Sequence, residues 1–418
     1  MKNVWILIGL CALLATLGWV ERRQHRRRLA GIRIRIHVNG TRGKSSVTRL
    51  IAAGLRAAGI ATCAKTTGAL ARLILPDGQE QPVARGCRPN VLEQIGVVRA
   101  AACAGAEALV VECMALTPVL QWLCEWQLIR ATHAVITNAR EDHLDVMGPT
   151  RRDVAWALAG TIPPGGIVFT ADACHGDIFR YAADDRGSRL VMVSRAEVAA
   201  VTAADLAGFA YTEHAENVAL ALAVCAELGI DRAAALRGMR LAAPDPGALA
   251  EWHWQEGEKQ IWLINGFAAN DPQSSQEIWD LSLGRFPQAE RRIALFNCRG
   301  DRPERSWRLG QASAAWQPAD HYVLVGGGVH HFARAAGEAG LDMRRVVLAR
   351  GHSAEEIFAN LLTLAAGATL VVGLGNIGGL GLELVRLFQS RGARGGNGRS
   401  SAVCIPQQHR LESDSWNC

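Results

Sequence analysis

The chain opens on seventeen apolar or small residues, VWILIGLCALLATLGWV at positions 4–20, and a run of arginines follows. Alternation then takes over. IRIRIHV, at 32–38, puts an apolar residue at every second position and predicts a strand. SSVTRLIAAGLRAA, at 45–58, changes to helical spacing. Further strands are predicted at 108–112 (ALVVE), 133–138 (HAVITN), 166–170 (GIVFT) and 189–194 (RLVMVS), with helical stretches between most of them. This alternation predicts an α/β fold on a mostly parallel sheet. A long alanine-rich helix is expected at 212–230. APDPGALAEW, at 243–252, then breaks the pattern with two prolines and a glycine and marks a domain boundary. A second α/β series follows: QIWLING (260–266), RIALFN (292–297), YVLVGGG (322–328), RVVLAR (345–350) and TLVVGLG (369–375). From Ser390 the chain is rich in Gly, Arg and Ser without periodicity, which predicts a disordered tail.

Composition refines this outline. A length of 418 residues suits two or three domains. The eleven cysteines include no C-x-x-C pair, which excludes a zinc-finger or disulfide framework and suits a reducing compartment. The net charge of +6 equals the excess of seven Arg over one Glu between positions 21 and 35. The basic character is therefore a collar beside the apolar run, not a nucleic-acid-binding face, and no nucleic-acid partner is expected. Seventeen residues is the short end of a membrane span. Arginines on its C-terminal side predict that this side faces the cytoplasm. A cleaved signal peptide is the rival reading, but its positive charge belongs before the apolar run.

HVNGTRGKSS, at 37–46, lies between a predicted strand and a predicted helix. The usual phosphate loop is G-x-x-x-x-G-K-[ST]; here Val38 takes the first glycine position and the glycine arrives at Gly40. Backbone amides of Gly40, Thr41, Arg42, Gly43 and Lys44 at a helix start can cradle phosphate oxygens. Lys44 would reach the terminal phosphates and Ser45 would hold Mg²⁺; Ser46 completes the loop. Lysine occurs elsewhere only at positions 2, 65 and 259, and its compact ammonium suits a tight phosphate site.

Glu112 ends a buried-looking strand, where an acid points into the ligand crevice of such a sheet and can hold Mg²⁺. TNAREDHLD, at 137–145, follows another strand and gathers Asp142, His143 and Asp145, with His143 able to ligate metal. GLGNIG, at 373–378, matches a dinucleotide fingerprint, but no following strand with an acid remains to hold a ribose. Its glycines are read as close packing or substrate contact. NGFAANDPQSS (265–275) and NCRGDRPERS (297–306) follow strands of the second series. They offer Asn270, Asp271, Arg299 and Arg302, and the arginines suit phosphate or carboxylate.

NGTRGKSS, Glu112 and NAREDHLD together resemble the ATP-dependent Mur ligase superfamily. That resemblance implies the short G-T-x-G-K-[ST] loop, ATP and Mg²⁺ as cofactors, and an acyl phosphate attacked by an amine. It implies Lys44 on the ATP phosphates, Ser45 and Glu112 on one Mg²⁺, Glu112 and His143 on a second, and Asn217 near adenine. Glu213 and His214 stand where the superfamily has its His and first Asn. No Lys lies between Leu144 and Ile162, where many members carry a carbamoylated one. An anchor with no UDP-binding domain before the loop resembles, over most of 34–384, the catalytic subunits of capsular poly-γ-glutamate synthases. That resemblance implies a Mur-ligase-like P-loop ATPase domain with a parallel sheet (31–245) and a smaller Rossmann-like α/β domain (246–390). An anchor and collar (1–30) precede them, as one transmembrane helix, and a tail (391–418) follows. It implies glutamate and a growing poly-γ-glutamate chain as substrates, with catalysis on the cytoplasmic side of the cell membrane. Other membrane subunits are the implied partners. Arg302 is expected to join Lys44, Glu112 and His143 in catalysis, Arg299 to touch phosphate, and Lys65, Thr66 and Thr67 to line the acceptor side. Two alternatives stay open: a Mur-type γ-glutamyl or amino-acid ligase with another acceptor, and a membrane-tethered ATPase or nucleotide switch powering export.

Overall fold

The computed structural model describes residues 2–392 apart from residues 69, 84–88, 210, 246, 350 and 352. The chain divides into two compact units, one of Met1–Phe209 with Glu213–Ala243, the other of Ala210–Thr212 and the chain from Pro244. The last helix, Leu380–Gly392, takes in the first two residues assigned by sequence to the tail. The rest of the tail lies outside the described residues.

The first unit begins with one continuous helix, α1 (Lys2–Gly31). Its apolar run is exposed, and it passes the length and hydropathy test for a membrane span. The collar continues the same helix and docks: His25 and Leu29 are buried, and Leu29 and Ile32 join the core. Arg35, counted as collar, spends its guanidinium on the carbonyls of Ile32 (2.6 Å), Leu29 (3.1 Å) and Arg130 (2.8 Å). Of these carbonyls, that of Leu29 belongs to the last turn of α1, where helical partners run out.

The strands of this unit are β1 (Ile34–Asn39), β2 (Thr62–Thr66), β3 (Arg72–Ile74), β4 (Glu80–Pro82), β5 (Ala108–Glu112), β6 (His133–Ile136), β7 (Ile167–Thr170) and β8 (Arg189–Met192). They form one sheet, ordered β4-β3-β2-β5-β1-β6-β7-β8. β3 and β4 pair antiparallel and the others parallel. The chain leaves β1 for β2 and β5 on one side, then crosses to β6 on the other. β1 is thus the switch point, and its C-terminal end opens a ligand crevice. Both sheet faces are covered. Leu109, Val111, Ala134 and Ile136 are buried on one face, under Val98, Ile129, Leu158 and Phe179, and Ile36, Val38, Val110 and Val135 are buried on the other. Each Val, Leu, Ile or Phe among them contributes about 1.5–3 kcal/mol on burial.

The second unit holds β9 (Glu251–Glu256), β10 (Lys259–Asn265), β11 (Arg291–Cys298), β12 (His321–Gly326), β13 (Val346–Leu348) and β14 (Ala368–Leu374). Their order is β13-β12-β11-β14-β10-β9, parallel except for β9. β14 inserts between β11 and β10. The polar segments after β10, β11 and β14 therefore share one sheet edge.

The sequence pattern predicts neither β2 nor the antiparallel strands β3, β4 and β9. β3 and β4 have three residues each, too short for alternation to register. The sequence-expected parallel strands agree with the structure to within a few residues.

Candidate active site

Asn39 ends β1 and starts the loop. Its side-chain oxygen accepts from Gly40 N (2.9 Å), and its amide donates to Gln121 (2.7 Å) and Thr161 (3.3 Å). Gly40 has φ 134°, and a β-carbon there would meet Thr137 Oγ1 at 1.9 Å. Gly43 has φ 81°, and its β-carbon would lie 2.6 Å from Asn217 Oδ1. Both glycines are forced by conformation and by space. Gly43 then caps helix α2 (Lys44–Ala57), with no side chain occupying the cap. The first-turn amides of α2, at the positive end of its dipole, suit an anion.

The loop is laced to the segment after β6. Thr41 Oγ1 donates to Asn138 Oδ1 at 2.6 Å and Arg42 N donates to the same oxygen at 3.1 Å. Thr137 Oγ1 donates to Arg42 O at 2.6 Å, and Arg140 N donates to Thr41 Oγ1 at 2.9 Å. Lys44 Nζ folds back onto the carbonyls of Gly40 (2.6 Å) and Thr41 (3.2 Å).

Ser45 and Glu112 meet. Ser45 Oγ donates to Glu112 Oε2 at 2.8 Å, and Thr67 N donates to the same oxygen at 2.6 Å. Glu112 is buried at the end of β5, as the sequence expects. Thr66 is buried, and among the described residues its hydroxyl has no hydrogen-bond partner. A hydroxyl and a carboxylate at a phosphate loop form a hard-oxygen donor set that suits Mg²⁺.

His143 stands in the left-handed region (φ 49°) at the start of the short helix Leu144–Met147. Its Nε2 lies 3.7 Å from Asp142 Oδ1. Among the described residues no group of three or more His, Cys, Asp or Glu is gathered for a metal. Asn217 is placed beside the loop, packed on Gly43 and donating to Glu213 Oε1 at 2.8 Å. Its neighbour Glu216, which the sequence left unremarked, is pushed up from the usual carboxylate range by burial.

Lys65, expected on the acceptor side, is an interior residue. It is fully buried, with Nζ on Glu93 Oε1 (2.9 Å) and near Met114 Sδ (3.5 Å). It is the fourth of the five residues of β2, one short of the strand's C-terminal end, with β3 on one side and β5 on the other.

In the second unit, Asp271 caps the helix Pro272–Arg285 by accepting from Ser274 N at 2.9 Å, and Asn270 precedes it half-buried. Arg299 is held by Asp301 through two bonds, 2.8 and 2.6 Å. That guanidinium keeps the Asp301 carboxyl below its usual range. Arg302 is exposed at the start of the helix Pro303–Ser313. GLGNIG is clasped from β11: Asn297 donates to Asn376 O (2.6 Å) and Gly378 O (2.9 Å), and Asn376 donates back to Asn297 O (3.1 Å). A β-carbon on Gly373 would strike the Phe267 ring at 2.5 Å, and one on Gly375 would strike Asn297 O at 2.8 Å. The glycines serve close packing.

Residues 38–225 match the Mur ligase middle domain, and residues 252–391 match the poly-gamma-glutamate synthase CapB C-terminal domain. Across 91% of this chain, it is 36% identical to the capsule biosynthesis protein CapB of Bacillus anthracis, covering 82% of that protein. It is 34% identical to the PGA synthase CapB of Bacillus subtilis (strain 168), over 91% of this chain and 97% of that one.

The chain belongs to the CapB family of poly-γ-glutamate synthases.

Solved structures extend the likeness of this CapB-family chain at the level of fold. Mycobacterium tuberculosis folylpolyglutamate synthase complexed with ADP superposes with TM-score 0.65 at 18% identity, covering 89% of this chain and 94% of that one. E. coli FolC in complex with DHPP and ADP gives 0.64 at 16% identity, covering 89% and 93%. This chain therefore has a Mur-ligase-type α/β scaffold, and its loop 40–46 sits at the switch point of the first sheet.

Proposed function

We propose that this chain is an ATP-dependent amide ligase that polymerises glutamate through γ-amide bonds. The γ-carboxylate of the growing chain takes the terminal phosphoryl group of ATP, giving an acyl phosphate and ADP. The amine of an incoming glutamate attacks the acyl carbon, and phosphate leaves as the amide forms. The observation that carries this reading is the meeting of Ser45, Glu112 and Thr67 beside the loop 40–46, in a chain of this family.

In this reading Gly40, Thr41, Arg42, Gly43, Lys44 and Ser46 bind the phosphates, and Asn217 neighbours the base. Ser45, Glu112 and His143 would hold Mg²⁺. A bound ion there would offset phosphate charge, as Lys44 does. Arg299 and Arg302 would hold phosphate or substrate carboxylate, with Thr66, Thr67, Asn270 and Asp271 toward substrate. Arg299 must then exchange Asp301 for its ligand. The apolar run of α1 is read as a single-pass anchor in the cell membrane with the arginines on the cytoplasmic side, beside other membrane subunits of a synthesis and export complex.

The test uses membranes containing the full chain, ATP, Mg²⁺ and labelled glutamate. Glutamate-dependent ADP release with label in a γ-linked, protease-resistant polymer supports the ligase. ADP release without any glutamate-dependent amide product overturns it in favour of an export ATPase.

A further inference from the structure

The first unit exposes an apolar cluster that the ligase reading leaves without a role. Val119, Leu120, Trp122 and Trp126 are exposed, Trp122 by 42% and Trp126 by 47%. The two indoles stack, with ring centroids 6.0 Å apart and planes inclined by 10°.

The neighbours of the cluster identify its occupant. Trp126 lies in the π-helical turn Cys124–Ile129. The next two residues of that turn hold α1: Arg22 Nη2 donates to Gln127 Oε1 at 3.0 Å, and His25 Nε2 lies 2.8 Å from Leu128 O. On α1 these contacts fall two and five residues past Val20, the last residue of the apolar run. At ~1.5 Å per residue they lie about 3 and 7.5 Å beyond its end. The polar layer on each side of a bilayer is about 5–7 Å deep. With the apolar run in hydrocarbon, Trp126 stands at headgroup level, where Trp concentrates in membrane proteins. Charge agrees: Arg22, Arg23, Arg26 and Arg27 are exposed on the same stretch of α1, complementary to anionic lipid. Arg23 also covers the Trp19 ring, 5.1 Å from its centroid.

We propose that the stacked pair Trp122 and Trp126 forms a second membrane contact that seats the first unit on anionic headgroups beside α1. This rests on the reading of α1 as an anchor. It also orients the site. α1 enters the sheet at the N-terminal end of β1, and the phosphate loop leaves from the C-terminal end of that six-residue strand. The loop therefore sits at the sheet edge remote from α1, roughly 20 Å along the strand.

The test places the photoreactive residue p-benzoylphenylalanine at Trp5, Trp126 or Leu241 of the full chain, in separate preparations. Leu241 is 87% exposed in the same unit and serves as the water-facing control. Each protein is reconstituted in vesicles of equal parts phosphatidylcholine and phosphatidylglycerol, illuminated, and analysed by mass spectrometry. Lipid adducts at positions 5 and 126, with none at 241, are expected. Adducts at 5 but not at 126 overturn the second contact and leave the anchor standing. No adduct at 5 overturns the anchor, and the contact with it. Adducts at 126 to protein alone make the cluster a protein-docking face and overturn the proposal, as would equal lipid labelling at 241.

Discussion

Ser45 Oγ donates to Glu112 Oε2 at 2.8 Å, joining the first turn of α2 to the end of β5. The same carboxylate oxygen fixes the Thr67 amide, so one buried acid ties together three segments of the crevice. Glu112→Gln keeps an oxygen for both donors but removes the charge. It is expected to lower kcat by about 10²–10³ while the melting temperature stays within a few degrees. Steady-state ADP release and thermal unfolding measure the two effects. Wild-type turnover in Glu112→Gln would remove this acid from the chemistry.

Gly43 and Asn217 form a second such pair. Gly43→Ala carries two penalties, φ 81° and a β-carbon 2.6 Å from Asn217 Oδ1. A non-glycine residue held in that backbone region costs about 1–3 kcal/mol. The single variant is expected to lose nucleotide affinity by at least tenfold. Adding Asn217→Ala removes the clash and should recover part of the loss, so that the two changes are non-additive. Titration with a fluorescent ATP analogue reads this directly.

Asn138 holds the loop from outside it. Its side-chain oxygen takes Thr41 Oγ1 and Arg42 N. Asn138→Ala leaves both donors without that acceptor, at about 1–3 kcal/mol. Because Asn138 bonds the loop proposed to bind the phosphates, the expected signature is a raised KM for ATP with the KM for glutamate unchanged. Equal changes in both would point to general unfolding of the crevice.

His37 and Glu125 form a buried pair behind β1, with Nδ1 to Oε2 at 2.9 Å. Burial alone pulls the imidazole down. Cys113 and the Glu125 carboxylate outweigh it and push His37 from 6.5 up to about 10. The folded state thus holds a proton that the unfolded state releases near 6.5. The stability it contributes is complete below that pH and is lost as pH rises through about 10. His37→Gln should therefore lower the melting temperature at neutral pH and flatten its decline toward alkaline pH. An unchanged slope would exclude this pair as its source.

The sequence alone carried most of the scaffold. The apolar runs of β5, β6, β10, β11 and β14 are legible because strands covered on both faces must be apolar almost throughout, and β1 is legible from its alternation. The loop 40–46 is legible because its glycines, Lys44 and Ser45 follow a strand and open a helix. Glu112 is legible because an acid at the end of a buried strand has few purposes there.

Tertiary structure decided the rest, because it depends on what lies opposite a residue and not on its type. Gly40 and Gly43 are required by Thr137 and Asn217, about 97 and 174 positions away, a separation no local pattern encodes. Lys65 reads in sequence as a charge near the crevice, but β3 and β5 enclose it and Glu93 pairs it in the core. The collar reads as surface charge, yet Arg35 bonds the Leu29 carbonyl in the last turn of α1 and His25 is buried against Leu128. Charge and spacing named the chemistry; burial and the facing partner assigned each residue its part in it.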